Sequence, residues 1–470
     1  MVAAATQAVV LTLGSVGYGY HRDELYFRML PPDWGYVDQP PLAPWLARTL
    51  AAVVDEPWAL RVPATLASAV TVLLLALLAR ELGGDRRAEA FAAWGGAFAT
   101  LPLALGHLLL TSTIDLAMTV GVVVLACRAL RGDPRWWLAV GALSGLASLN
   151  RLLIPVVLAG LVLGVLLLGP RRSLGTPWPW AGALVAVVLA GPSIAYQVVN
   201  GWPQLAMGAA LGENNAAEVR SQLPLILLVA IGPLLVPVWL AGAVHAWRRP
   251  EARWLVVAAV VLVAFAWVSG AQPHYPVALL AALFAAGCVP VARWTRAAPW
   301  RRWTLAGVLA VSAGVSTVLA VPVVPLTVVG ATPVTEAGPL VGDQVGWPRY
   351  VEQVADVWRA AGDPDAAVLT SNYGEAGAVA RFGPALGLAG AVSGHNHLWE
   401  LGPPPEATRT VVVVGAQYEA LVPLFERCEV RDRLSNGVGV DNEEEGVPVA
   451  LCQDPVAPWS VLWPRVRHLD

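Results

Sequence analysis

A polytopic α-helical membrane protein with a small α/β domain outside the bilayer is the fold class this sequence predicts. Three observations predict it. The 470-residue chain is 57% hydrophobic and 13% charged, with a mean hydropathy of +0.60, whereas soluble domains are about 25% charged. Its apolar residues gather into segments of bilayer length, separated by Arg-rich or Trp-rich gaps. From about Thr327 that texture gives way to short strand and helix patterns.

Crossing a bilayer takes roughly 20 apolar residues per helix. About eleven segments meet this with some latitude: 2–19, 61–80, 88–106, 112–130, 135–149, 152–169, 179–199, 222–246, 252–270, 274–292 and 302–321. Those at 135–169 are short and divided by the polar pair Asn150-Arg151. No charge precedes the first apolar run, which argues against a cleaved signal peptide. All 30 basic residues are Arg, and the accompanying Ala/Val/Leu/Gly bias points to a GC-rich bacterial genome. The linkers "RELGGDRRAE", "RALRGDPRW", "RRSLG", "RRPEAR" and "ARWTRAAPWRR" hold half of that Arg and alternate with Arg-poor gaps. The positive-inside rule makes those five cytoplasmic. The N-terminus is then inside, Tyr18–Trp58 outside, and an odd number of spans puts the C-terminus outside the bacterial plasma membrane. The 21 Trp residues suit interfacial belts. Two domains follow: a transmembrane domain, 1–326, that includes the first outer loop, 20–60, and an extracytoplasmic α/β domain, 327–470.

In that second domain "DAAVLTS" and "TRTVVVVGA" read as strands, while "WPRYVEQVADVWRA" and "EAGAVARF" read as helices. "DNEEEG" reads as a solvated loop. Cys428 and Cys452 lie in this polar region and pair there if it faces an oxidising compartment; Cys127 and Cys288 sit in apolar spans as inert small hydrophobes. His395 and His397 lie two apart, a spacing that suits a metal, but nothing in the sequence completes their ligand set.

The stretch "YGYHRDELYFRMLPPDWGYVDQPPLAPW" concentrates His21, Arg22, Asp23, Glu24, Arg28, Asp33 and Asp38 in the first gap between spans. A solvated loop is one reading. The content favours another: "ELYFRML" and "PLAPWLARTLAAVV" look like helices with one apolar face, suited to the interface plane. The prolines between them stiffen the frame. Acids held rigidly against a membrane are costly and mark a site. The ends of other spans add Asp115, Asn150-Arg151 and the His274-Tyr275 pair on the same predicted side. Each has a structural reading too: a helix-start acid, a snorkelling Arg and interfacial packing.

Such groups suit a carboxylate, Asp23, that takes a proton from a hydroxyl while a phosphate leaves. Arg22, Arg151, His274 and Tyr275 are the candidates to stabilise charge on that phosphate. A second acid, Asp38 or Asp115, would position the acceptor, and Asp38 is the candidate ligand for a divalent ion. No phosphate-cradling Gly-rich loop or nucleotide fingerprint is present, so a sugar carried on a lipid phosphate fits better than a nucleotide sugar. Nucleic acid is not a partner.

These residues carry a resemblance. "HRDELYF…WGYVDQPPL" resembles the first loop of polyprenol-phosphate-dependent glycosyltransferases of the C fold (GT-C), which include protein O-mannosyltransferases and bacterial lipid A aminoarabinose transferases. It is most similar to bacterial family 39-like proteins, as are "VGWPRYVEQV", "TSNYGEAGAVARFGPALGL" and "SGHNHLW", so the likeness covers nearly the whole chain. The resemblance implies Asp23 as the catalytic acid, Glu24 as its neighbouring acid, and Asp38 as a metal or acceptor ligand. It also implies Asp115 as the acid at a span's outer end, with Arg151 and Tyr275 at the lipid phosphate. The implied reaction moves a sugar, mannose or another hexose or pentose, with inversion from polyprenyl phosphate to an extracytoplasmic protein, lipid or glycan. Tyr26 and Gln39 stand where the aminoarabinose branch carries Arg and Lys, which leaves lipid A unassigned as the acceptor. Metal dependence varies across the superfamily, and no cofactor is required by the resemblance.

The competing reading is a non-enzymatic transporter or envelope assembly factor. Transporters place ionisable groups near the midplane within inverted repeats; here the charges sit at span ends and no internal repeat is visible.

Overall fold

The computed structural model describes every residue except Ala271. The chain divides into two compact units.

The first unit comprises Met1–Leu13, Asp33–Ala43 and Arg61–Val321. Among the described residues, five helices are long and apolar enough to cross a membrane: Pro57–Glu81, Thr111–Arg131, Trp178–Val199, Val277–Trp294 and Pro299–Ala320. Two bent pairs raise the count to seven if each is one span: Arg86–Ala97 with Thr100–His107, bent by 56°, and Pro203–Val229 with Pro233–Trp247, bent by 69°. The second bend falls at Gly232-Pro233, where Gly232 takes φ +120° and proline removes a backbone donor. Four apolar helices are shorter: Val2–Gly14, Trp136–Ser148, Ile154–Leu168 and Arg253–Ser269. Every apolar segment read from the sequence is therefore a helix or a bent pair.

Burial sorts these helices. Val277–Trp294 and Thr111–Arg131 are buried along most of their length, so they form the middle of the unit. Trp178–Val199 and Pro299–Ala320 instead expose Trp180, Leu184, Val188, Trp303 and Val311. Apolar side chains exposed over whole helices need lipid rather than water around them. The chain is a multi-pass membrane protein.

The second unit comprises Gly14–Pro32, Pro44–Leu60 and Pro322–Asp470. It takes up both flanks of the first charged loop, whereas the sequence reading kept 20–60 with the spans; Asp33–Ala43 alone stays in the first unit. Its sheet has five strands: β1 (Ala367–Thr370), β2 (Val392–Ser393), β3 (Thr410–Val414), β4 (Phe425–Arg433) and β5 (Pro448–Pro455). Their order is β2-β1-β3-β5-β4. β1 pairs parallel with β2 and β3, while β5 pairs antiparallel with β3 and β4. The run of valines in β3 is buried on both faces, as a central strand demands. Helices Trp347–Ala360 and Tyr373–Phe382 follow the expected pattern. Cys428 and Cys452 are directly opposed on β4 and β5, with Cα atoms 4.1 Å apart, and form a disulfide.

Candidate functional site

In the first unit the site grows from one hydrogen bond. The Asn150 side-chain amide donates to the Thr111 carbonyl at 2.7 Å, which fixes the end of the Trp136–Ser148 segment against the start of helix Thr111–Arg131. That brings Arg151 to Ser112: Nη1 donates to Ser112 Oγ at 2.7 Å and lies 3.3 Å from His274 Nε2. Ser112 Oγ is itself 3.0 Å from the same imidazole nitrogen. A guanidinium only donates, so His274 presents Nε2 as an acceptor. The Arg151 guanidinium lies over the Tyr275 ring, 4.7 Å from its centroid, and the His274 and Tyr275 rings meet edge to face at 5.4 Å.

Asp115, one turn into the same helix, completes the set. It is 6% exposed, and its Oδ1 has no hydrogen-bond partner among the described residues. Ser112, Asp115, Arg151, His274 and Tyr275 line one small pocket of about 10 Å³, floored by Leu105 and Val277. In these apolar walls the Arg151 guanidinium is the group that can hold an anionic oxygen; Ser112 and His274 engage its Nη1 and orient it, and Asp115 is a buried carboxylate beside it. Four predicted residues thus meet, and Ser112 joins them unpredicted.

Asp38 is elsewhere in that unit and does not line this pocket. Its loop is pinned by Tyr36 N–H to the Gln39 carbonyl and by Leu42 N–H to the Leu149 carbonyl, both 2.9 Å. Gln204 also donates to the Tyr36 carbonyl at 3.3 Å.

Asp23, Glu24 and Arg22 belong to the second unit, on helix Arg22–Met29. This helix starts in a capping box. Glu24 accepts from the His21 N–H at 2.9 Å, and His21 Nδ1 accepts from the Asp23 N–H at 3.2 Å. Glu24 is fully buried, so the acid read as a second catalytic group holds the helix start that carries Asp23. Arg22, read as a phosphate ligand, is ion-paired with Glu443 and lies 4.9 Å above the Tyr373 ring. Asp23 Oδ1 accepts from the Tyr373 hydroxyl at 2.9 Å.

The partners of Arg22 correct one expectation. "DNEEEG" is not simply a solvated loop: Glu444 is 1% exposed. Asn442 donates to the Val345 carbonyl at 3.0 Å and accepts from Tyr350, while Glu445 accepts from the Asn436 N–H. Glu444 faces Asn372 at 3.4 Å. Asn372 starts helix Tyr373–Phe382, where Glu375 closes a second capping box on Ser371 and Asn372 N–H groups at 2.8 and 3.0 Å.

Burial and the neighbouring Glu444 charge push the Glu375 carboxyl up to about 8. Burial, opposed by Arg22, pushes Glu444 to about 7. Burial presses the His21 imidazole down, but the carboxylates of Asp343, Asp23 and Glu24 outweigh it and its pKa is raised. The two glutamates set a pH dependence. Their folded pKa values exceed the ordinary glutamate value of about 4.3. The stability they contribute is therefore complete below that value and is lost as pH rises through about 7 to 8. Thermal unfolding of the whole chain in detergent is expected to show stability falling by a few kcal/mol from about pH 5 to 9. Glu375→Gln, which keeps an acceptor for both N–H groups, is expected to remove most of that slope. A slope unchanged by Glu375→Gln and Glu444→Gln together would refute the assignment.

His395, His468 and Asp470 bring three ligand-type groups within 4.8 Å of one another. Their hydrogen bonds serve something else. His395 Nδ1 accepts the Tyr373 N–H at 3.1 Å, which leaves its proton on Nε2, facing the Asp470 carboxylate. Burial lowers the His395 pKa, and the bond from His395 lowers that of Asp470. Both His468 nitrogens face backbone carbonyls, of Val466 at 3.0 Å and Ser371 at 2.8 Å. While its Nδ1 accepts from Tyr373 and its Nε2 carries the proton, the His395 ring offers a cation no free lone pair.

Comparison with known proteins bears out the resemblance carried by the first loop. Residues 38–196 match the family model described as dolichyl-phosphate-mannose-protein mannosyltransferase. ArnT from Cupriavidus metallidurans in the apo state superposes with a TM-score of 0.65 at 15% identity, over 96% of this chain and 97% of that one. The same enzyme bound to undecaprenyl phosphate gives 0.62 at 17% identity and the same coverage. The Archaeoglobus fulgidus oligosaccharyltransferase tethered to an acceptor peptide gives 0.51 at 12% identity, over 89% of this chain and 70% of that one. No curated protein sequence matches. The fold of this chain is that of C-fold glycosyltransferases.

Proposed function

We propose that the chain is a membrane glycosyltransferase that moves a sugar, a hexose or pentose such as mannose, from polyprenyl phosphate to a hydroxyl of an extracytoplasmic protein, lipid or glycan. The observation that carries this reading is the pocket of Arg151, Ser112, His274 and Tyr275 around Asp115. Its Arg151 guanidinium suits a phosphate oxygen, and its volume of about 10 Å³ is too small for a whole solute. A C-fold relative bound to undecaprenyl phosphate supports a lipid-linked donor. A relative tethered to an acceptor peptide supports a macromolecular acceptor. The Cys428–Cys452 disulfide supports an oxidising, extracytoplasmic side for the second unit.

In the proposed reaction Asp23 takes the proton of the acceptor hydroxyl, and that oxygen bonds to the anomeric carbon from the face opposite the phosphate. The carbon–oxygen bond to phosphate breaks, and polyprenyl phosphate leaves with the electron pair and an inverted product behind it. Arg151 neutralises the charge growing on the leaving oxygen. His274 accepts a hydrogen bond, so it serves by orienting Arg151 and Ser112. Asp38, on its pinned loop, positions the acceptor or a divalent ion beside it.

Reconstitution with polyprenyl-phosphate-linked mannose and a set of hydroxyl acceptors tests the reading. Release of polyprenyl phosphate matched one to one by glycosylated acceptor is the expected result. Solute uptake into the same vesicles without any transfer would instead favour a transporter.

A further inference from the structure

We infer that the α/β unit supplies a positioning residue for this reaction, Tyr373, whose hydroxyl holds Asp23 in its working orientation. The inference rests on the reading of Asp23 as the base. It begins with the 2.9 Å bond from the Tyr373 hydroxyl to Asp23 Oδ1. One oxygen is engaged by that bond, which fixes the side-chain torsions and leaves Oδ2 to receive a proton.

The surroundings of Tyr373 are built to aim that hydroxyl. Its ring stacks on Tyr26 at 4.7 Å and on His395 at 4.9 Å, and His395 stacks in turn on His468 at 4.8 Å. The guanidinium of Arg22 lies over the same ring. His395 also takes the Tyr373 backbone N–H, and His468 is anchored to the Ser371 carbonyl. The Asn372–Glu375 capping box sets where the helix begins, and hence which way its first residue points.

Two glycines bring the helices together. A Cβ added at Gly377 would stand 2.7 Å from the Leu25 carbonyl oxygen, and one at Gly374 would stand 2.9 Å from Arg22 Cβ. Helix Tyr373–Phe382 can therefore approach helix Arg22–Met29 closely only because both positions lack a side chain. Asn372, Gly374, Glu375 and Gly377 thus set how Tyr373 meets the helix that carries Asp23. Burial keeps the phenol protonated, since it raises the Tyr373 pKa well above the ordinary value.

Tyr373→Phe in the reconstituted full chain tests this, because the ring and its stack stay in place. The expected result is a kcat about 10- to 100-fold lower with a donor KM unchanged within about twofold. The thermal midpoint is expected to stay near that of the wild type. In an Asp23→Asn background the same substitution is expected to cost nothing further, because the residue acts only through Asp23. Wild-type kcat in Tyr373→Phe, with Asp23→Asn inactive, overturns the inference and leaves the base assignment standing. So does a loss that appears in KM alone. Full activity in Asp23→Asn overturns the base assignment itself.

Discussion

Asp23→Asn is expected to slow sugar transfer by about 10²- to 10⁴-fold, the range that a positioned general base contributes. The substitution removes the proton acceptor and little else. Asparagine keeps the shape and retains an oxygen for the Tyr373 hydroxyl now 2.9 Å away. The capping box of helix Arg22–Met29 uses the backbone N–H of residue 23 and the Glu24 side chain, so it survives. The thermal midpoint is therefore expected to stay within a few degrees of wild type, about 1 kcal/mol or less. Donor KM is expected to hold, because the phosphate is assigned to Arg151 and its neighbours. Initial rates with a saturating lipid-linked donor, beside binding of the same donor, separate the two effects. A variant that turns over at the wild-type rate would remove Asp23 from the chemistry.

The helices of the first unit were legible because a bilayer imposes a length and a composition on each segment. Their irregularities were less so. The 69° bend that splits Pro203–Val229 from Pro233–Trp247 has a local cause in Gly232-Pro233, but a sliding hydrophobic window passes over it. β1 and β3 are apolar runs and could be read directly, whereas β4, "FERCEVRDR", alternates charges on its exposed edge and resembles a loop until β5 pairs with it. Fate in the fold also outran composition in "DNEEEG". Its acids look solvated in sequence, yet Glu444 is buried near Asn372 and Arg22 because distant segments fold onto it.

The candidate site divides along the same line. Asp115, Arg151, His274 and Tyr275 could be proposed from ionisable residues at span ends, and they do meet in one pocket. Ser112 could not, since a serine in an apolar helix usually bonds its own backbone; here it bridges Arg151 and His274. Glu24 and Arg22 show the opposite case. Their charge marked them as functional, but a capping box and the Glu443 ion pair engage them. What an acid does depends on which donors face it, and that is set by packing over hundreds of residues. Tyr373 illustrates this with 350 positions separating it from the Asp23 carboxylate it holds.

Arg151→Gln is expected to lower transfer by about 10²- to 10³-fold, the usual loss when one preorganised charge-stabilising group is removed. Unlike Asp23→Asn, it should also raise donor KM, because Arg151 meets the phosphate before the bond breaks as well as after. The pocket makes a second effect unavoidable. Asp115 is almost fully buried in the field of Arg151, and deleting the cation leaves that carboxylate uncompensated, a type of change that costs several kcal/mol. Arg151→Gln alone therefore confounds lost chemistry with lost folding. Pairing it with Asp115→Asn removes both charges together, and the double variant is expected to regain the thermal midpoint without regaining transfer. Arg151→Lys keeps the charge but loses the planar guanidinium whose Nη1 reaches Ser112 and His274 above the Tyr275 ring. It is expected to fold and to transfer at an intermediate rate. Rates, donor KM and unfolding of the three variants decide the matter: recovered transfer in the double variant would mean that Arg151 serves Asp115 and the fold, and that the phosphate is held elsewhere.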